Sequence, residues 1–279
     1  MKMNNLIQPN LFTDVEVPTS IQNISNTFVN RSTFYHGDCL VEMDNISDKS
    51  IDMILCDLPY GITNCKWDSV IPNELLWKQY KRVIKDNAAI VLTATNPFAT
   101  TLIQSNIDWF KYEWIWHKNM TSGFALAKKQ PLRNHELVLV FYKKQPTYNP
   151  IKEIRDLSES SKQRMNYDFT STKGTNEHQN GIKKVQFIPE DKELSYPKTV
   201  KKWNGVNSHN RNHPTEKPLD MMEYLIKTYT NEGDTVLDNC MGSGTTGIAC
   251  KKTGRHFIGI EKDEKYFEIS VSRVSAYCG

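Results

Sequence analysis

Val236-Leu237-Asp238-Asn239-Cys240-Met241-Gly242-Ser243-Gly244-Thr245-Thr246 reads as a short apolar strand, a glycine turn and the start of a helix. In an α/β sheet this order sets the free N–H groups of a helix start beside backbone that glycine leaves bare, where adenosine-containing cofactors are held. With Gly247 the stretch satisfies Gly-x-Gly-x-x-Gly. That pattern is weak alone and gains weight from the strand before it and the helix after it. The next apolar run, Phe257-Ile258-Gly259-Ile260, ends in Glu261, an acid able to accept both hydroxyls of a ribose. Two ligand types compete for such a loop. A nicotinamide dinucleotide would set its pyrophosphate there. S-adenosylmethionine (AdoMet) carries no phosphate but brings an ammonium and a sulfonium. Asp238, at the mouth of the loop, repels the first and suits the second. A glycine turn with no ligand would leave the coincidence of Asp238 and Glu261 without a reason.

Outward from this stretch, short apolar runs alternate with amphipathic ones. Ser50 to Cys56, Ala88 to Thr95, Glu113 to His117, Glu136 to Tyr142, Thr235 to Leu237 and His256 to Ile260 read as strands. Leu75, Leu76, Tyr80, Val83 and Ile84 recur at helical spacing behind Pro72, and Pro97 to Asn106 reads as a second helix. Leu219, Met222, Leu225, Ile226 and Tyr229 mark another helix face, and further helices follow Gly244 and Asp263. Strand alternating with helix implies an α/β fold with a doubly wound, mainly parallel sheet. Residues 1–32 are polar and patternless and read as a loosely ordered arm. Residues 145–212 are rich in Lys, Ser, Asn, Gln and Glu and read as an insertion. The core domain is then 33–144 together with 213–279.

The 279 residues, 38% hydrophobic and 24% charged, suit a globular protein of one large domain. A net charge of +3 permits a polyanionic partner without demanding one. The six cysteines include no Cys-x-x-Cys pair, so no metal site is expected and the thiols read as reduced. The opening Met1-Lys2-Met3-Asn4-Asn5 lacks the apolar core of a signal peptide, and no apolar run is long enough to span a bilayer. A cytoplasmic protein with no membrane partner is the expectation.

A second stretch carries chemistry. Asp57-Leu58-Pro59-Tyr60-Gly61 follows the apolar run Ile51 to Cys56. An acid, a proline turn and an aromatic ring at a strand's C-terminal edge can hold a flat ring that bears an amino group. Such an amino group is a poor nucleophile because its lone pair is delocalised. Asp57 can accept one N–H and the Leu58 carbonyl the other, while Pro59 stiffens the turn and Tyr60 offers a stacking face. Positioning then supplies most of the barrier reduction for a direct displacement. Pro and Tyr are also ordinary turn residues, so this segment gains its meaning from the cofactor loop downstream.

Together these segments resemble those of amino-group (N6-adenine/N4-cytosine) DNA methyltransferases of the class whose catalytic motif precedes the AdoMet motif. The resemblance covers roughly Phe34 to Tyr142 and His213 to Ala276. Asp57-Leu58-Pro59-Tyr60 resembles the catalytic Asp-Pro-Pro-Tyr, with Leu58 in place of the first proline. Gly37-Asp38-Cys39-Leu40 resembles the segment whose acid contacts the adenine of AdoMet. His213-Pro214-Thr215-Glu216-Lys217-Pro218 resembles the segment lining the methionine end. Asp238 to Thr246 resembles the cofactor loop, with Asn239-Cys240 where Pro-Phe is common. The resemblance implies a Rossmann-like AdoMet-dependent fold, base flipping of duplex DNA, and a target-recognition region in the insertion. It implies Asp38, Asp57, Thr215, Lys217, Asp238, Cys240, Gly242, Ser243, Gly244, Thr245 and Glu261 around the cofactor. An initial Asp points to adenine N6 rather than cytosine N4. Dimers are common in this class, so a homodimer is a candidate assembly, and a cognate restriction nuclease is a candidate partner that the sequence does not itself indicate.

Several residues have a bland reading beside a functional one. The pairs Lys143-Lys144, Lys183-Lys184 and Lys201-Lys202 could neutralise phosphates or form a solvated surface. Arg133, Asn134, His135, Arg211, Asn212 and His213 could reach DNA or brace loops. Trp114 and Trp116 read as core, with Trp116-His117-Lys118-Asn119 and Gly123 resembling a segment beside the target base. Trp203 is either a DNA contact or a small local core. The rival functions are an RNA or protein-amide methyltransferase, a nicotinamide-dependent oxidoreductase, and a DNA-binding subunit without turnover.

Overall fold

A computed structural model of the chain describes residues 26–29, 31–61, 69–154, 194–206 and 213–277. The strands are β1 (Asn26–Val29), β2 (Ser32–His36), β3 (Ile51–Asp57), β4 (Ile84–Ala94), β5 (Phe110–Ser122), β6 (Arg133–Phe141), β7 (Glu153–Ile154), β8 (Leu194–Ser195), β9 (Val200–Trp203), β10 (Thr235–Asp238) and β11 (His256–Glu261). Nine of them form one sheet in the order β1-β2-β11-β10-β3-β4-β6-β5-β9, and β7 pairs with β8 alone. The run β2-β11-β10-β3-β4 is parallel, β6 is antiparallel to both β4 and β5, and β1 is antiparallel to β2.

Both faces of the central strands are covered, so β3 and β4 read as continuous apolar runs rather than alternating ones. Ile54, Cys56, Ile90 and Leu92 lie in one buried cluster with Leu76, Tyr80 and Leu102 of the helices Asn73–Val83 and Phe98–Ser105. Met53, Leu55, Ala89 and Val91 lie in the other, with Leu225, Ile248 and Val274 of the helices Leu219–Tyr229, Thr245–Lys252 and Glu264–Ala276. Alternation along β3 assigns residues to faces, and a register shift between Ile51 and Met53 resets it, so Ile51 shares its face with Ile54.

The expected strands and helices are present, with three differences. Asn26–Val29, in the stretch read as a loose arm, is a strand, and β2 already begins at Ser32. A tight hairpin through Arg31 (φ 71°) returns this Thr-Phe-Val segment onto the sheet edge. β4 starts at Ile84, four residues earlier than the apolar run implies. Its polar opening is held by ion pairs of Lys85 with Asp52 (2.6 Å) and Asp86 with Lys49 (3.0 Å). Val200–Trp203, in the stretch read as an insertion, is the outer strand of the main sheet, parallel to β5. Its apolar anchor is Trp203, only 6% exposed and packed edge-on against Tyr224. Trp203 is thus a core residue, as are Trp114 and Trp116. Lys183, Lys184, Arg211 and Asn212 lie outside the described residues, as do Cys65 and Cys278.

Candidate active site

The sheet's order makes β3 and β10 neighbours although they lie far apart in the chain. Met53 pairs with Val236, and Ile54 with Leu237. From β3 the chain winds outward to β4, and from β10 it winds the other way to β11. This is a topological switch point, where the carboxyl ends of adjacent strands open a crevice. Asp57 ends β3 and Asp238 ends β10. Both line one cavity of about 810 Å³, together with Tyr60, Lys217, Gly242 and Glu261. Asp38, Thr215, Cys240, Ser243 and Thr245 also reach it.

The catalytic turn is held from behind. Leu58 is 3% exposed and sits in the same apolar cluster as Cys56, Tyr80 and Phe98. Burial of its side chain replaces the stiffness a proline would give. The Tyr60 ring stacks on Phe98 at 5.1 Å. Its hydroxyl donates to Asp57 Oδ1 at 2.7 Å, and the Thr93 hydroxyl donates to the same oxygen. Burial, then the charges of Asp57 and Glu136, push the Tyr60 phenol well up, so it stays a donor. Asp57 Oδ2 accepts from Lys217 Nζ. Lys217 was read as lining the methionine end. It lines the shared cavity, but its ammonium sits on Asp57 and lies 3.8 Å from Glu136.

The glycine loop is built to expose backbone. Gly242 (φ 52°) and Gly244 (φ 80°) adopt left-handed conformations, and Gly244 caps the helix Thr245–Lys252. Space is short as well, since a Cβ on Gly244 would stand 3.0 Å from Ser270 Cβ and 3.1 Å from its Cα. Gly244→Ala is therefore expected to cost about 2 kcal/mol of stability, from left-handed strain plus the backbone contact. Denaturant melts of wild type and variant check this, and an unchanged midpoint would refute it.

The loop's own side chains are engaged. Asp238 Oδ1 accepts from Cys240 N (3.2 Å) and Oδ2 from the Thr246 hydroxyl (2.7 Å). Burial pushes its carboxyl up to about 6 against these hydrogen bonds and one from the Cys56 thiol, and the nearby Asp57 charge adds to the rise. Glu261 accepts three backbone N–H groups, from Gly242 (2.8 Å), Lys262 (2.9 Å) and Asp263 (2.9 Å). A carboxylate offers about four acceptor positions, so Glu261 has room for one ribose hydroxyl rather than two. Burial raises its pKa in spite of those donors. The Thr245 hydroxyl donates to Glu216 (3.1 Å), which Arg273 also holds (2.7 Å). Tyr80 donates to Asn239 Oδ1 (2.6 Å), tying the loop to the helix Asn73–Val83. At the rim, Asp38 pairs with Lys262 (3.0 Å) and accepts from Leu40 N (3.1 Å). These contacts outweigh its burial and hold its carboxyl below the usual range. Thr215 bonds His213 Nδ1 (3.0 Å).

This arrangement suits AdoMet. A buried acid whose pKa stays raised in spite of its hydrogen bonds lines the cavity, where an ammonium would relieve it and a pyrophosphate would not. The sequence reading missed Thr93, Glu136, Tyr80 and Phe98. A threonine or an aromatic inside an apolar run carries no signal of its own. Glu136, the only acid in β6, was the one visible irregularity.

Residues 51–272 match the model of the N6/N4 DNA methylases, described as "DNA methylase". The chain belongs to this family. The methylase is 30% identical over 245 residues to the type II methyltransferase M1.MboII of Moraxella bovis, covering 82% of this chain and 91% of that one. It is 25% identical over 277 residues to M.HinfI of Haemophilus influenzae, covering 89% of this chain and 69% of that one. Its fold matches the crystal structure of the M1.HpyAVI–SAM complex with a TM-score of 0.57 at 24% identity, over 87% of this chain and 99% of the other. No helix among the described residues of the methylase is long and apolar enough to cross a membrane.

Proposed function

We propose that this DNA methyltransferase moves a methyl group from AdoMet to the N6 amino group of adenine in duplex DNA. The observation that carries the reading is the meeting of Asp57 and Asp238 at adjacent strand ends in one cavity. When bound, AdoMet supplies a methyl carbon made electrophilic by the sulfonium. Asp238 would hold its ammonium, Glu261 one ribose hydroxyl, and Asp38 the adenine end, with the bare backbone of Gly242 close against it. The chain's own residues do the rest. Asp57 Oδ2 and the Leu58 carbonyl accept the two N–H bonds of the extruded base, which aims the nitrogen's lone pair along one line. Tyr60, fixed by Phe98 on one side and Asp57 at its hydroxyl, offers a rigid face for stacking. Arg133 is exposed and lines the cavity, where it suits a phosphate. The region 145–212 is the proposed target reader.

The test is transfer of labelled methyl to unmethylated DNA, followed by nucleoside analysis. N6-methyladenine is expected. N4-methylcytosine would overturn the choice of base, and label appearing only in RNA or protein would overturn the substrate class.

A further inference from the structure

Four charged side chains alternate in sign across the cavity floor. Lys118 of β5 binds Glu136 Oε1, Glu136 Oε2 lies 3.8 Å from Lys217 Nζ, and Lys217 binds Asp57 Oδ2. The two middle members are deeply placed, with Lys217 at 7% and Glu136 at 13% side-chain exposure. The ammonium of Lys217 is hydrogen-bonded to Asp57 and to the Thr215 carbonyl at 3.4 Å, while Glu136 Oε2 stands 3.8 Å away, within ion-pair range but beyond a hydrogen bond. Asp57 is nearly saturated. Oδ1 takes the hydroxyls of Tyr60 and Thr93, and Oδ2 takes Lys217. Of about four acceptor positions on a carboxylate, one on Oδ2 remains.

Glu136 Oε2 is the anomaly. It is buried and has no hydrogen-bond donor among the described residues. Leaving such an oxygen undonated is costly. A carboxylate present only to brace β5 against β6 would need no more than the bond from Lys118. Its second oxygen instead faces a cation already committed to the catalytic acid.

We infer that Glu136 is a positioning residue that acts through Lys217. By sharing the ammonium, it limits how far Lys217 quenches Asp57, and so sets how strongly the free position on Oδ2 accepts an amino N–H. The inference rests on the reading of Asp57 as the acceptor for the target amino group. Burial pulls the Lys217 ammonium down, yet Asp57 and Glu136 outweigh it and hold it above the ordinary lysine value. The other titratable groups facing Lys217 are the Cys56 thiol, His213 and the Tyr60 phenol. Of the surrounding groups, Glu136 can be altered without touching the base, the cofactor loop or Asp57 itself.

Glu136→Gln keeps the shape and removes the charge. It is expected to lower kcat about tenfold, the equivalent of one pKa unit of altered interaction. KM for AdoMet and affinity for DNA should stay unchanged. The rise in kcat that accompanies loss of the Lys217 proton should set in at lower pH, because Lys217 loses one of the two charges that keep it protonated. The 13Cε resonance of Lys217, assigned with Lys217→Arg, should titrate at lower pH in the same variant. Glu136→Asp should restore most of the rate and of the titration. Wild-type kcat and titration in Glu136→Gln would overturn the inference. So would equal rate losses in both variants with the titration unmoved, since that marks a brace and nothing more. If the wild-type protein methylates no DNA, the proposed function fails. The Lys217 titration needs no substrate and still decides whether Glu136 governs that ammonium.

Discussion

Asp57→Ala is expected to reduce single-turnover methyl transfer by about 10³-fold or more, with AdoMet affinity within a few-fold of wild type. A preorganised acceptor aimed at the reacting group is worth roughly 10²–10³ in rate, and Asp57 also fixes the Tyr60 hydroxyl that steadies the stacking face. The alanine has a side effect. It leaves Lys217, 7% exposed, with Glu136 as its one remaining acid. Breaking a buried pair from one side costs about 3–5 kcal/mol, so the variant will melt earlier. Asp57→Asn separates the two effects. It keeps the volume and one acceptor oxygen, which can stay toward Lys217 and the base, but it loses the negative charge and turns its NH2 toward the Tyr60 and Thr93 hydroxyls that now donate to Oδ1. Transfer should still fall by about 10²-fold in a protein that remains folded by circular dichroism. Wild-type transfer by Asp57→Asn would remove this carboxylate from the mechanism.

Asp238→Asn should act in two opposite directions. Losing a charge-assisted contact to the cofactor ammonium costs about 1.5–3 kcal/mol, which is a drop in AdoMet affinity of roughly 10²-fold. The ligand-free protein should become more stable at neutral pH. The folded-state pKa of Asp238 is raised from 3.8 to about 6, so the folded chain binds this proton more tightly than the unfolded chain does. Its stabilising contribution is complete below pH 4 and is lost as pH rises through 6. At pH 7 the wild-type protein therefore carries a buried charge that the amide removes, a gain on the order of 2 kcal/mol. The same titration predicts that wild-type AdoMet affinity weakens as pH falls through about 6, when the acid becomes protonated. Calorimetric titration across pH 5–8, with melts of both proteins at pH 7, checks all three statements. A pH-independent affinity would show that Asp238 is not the ammonium's partner.

Much of this architecture was legible in the residues. The central strands are buried on both faces, so their apolar runs are unbroken, and the helices between them keep strong periodicity. Asp57, Asp238 and Glu261 stood out because acids that end apolar runs have few structural reasons to be there. What escaped reading depends on partners far away in sequence. Nothing local says that Lys217 would bond Asp57, or that three backbone N–H groups would occupy Glu261. The outer strands were hard for another reason. Asn26–Val29 and Val200–Trp203 lie at the two edges of the sheet, where a strand pairs on one side only and polar residues are tolerated, so their composition mimics that of loops.

The position of β10 and β11 between β2 and β3 has a consequence for how the chain matures. These two strands, which follow all the other described strands in the chain, fill a slot in the middle of a sheet whose flanks are made much earlier. Until they arrive, β2 and β3 have open edges facing each other, and closing the gap joins segments as remote as Met53 and Val236. Such long-range pairing is slow because the chain entropy is lost before the contacts form. A ribosome-bound or prematurely terminated chain therefore has no methyl-donor pocket at all, and newly made protein becomes able to mark DNA only after its C-terminal segment has docked.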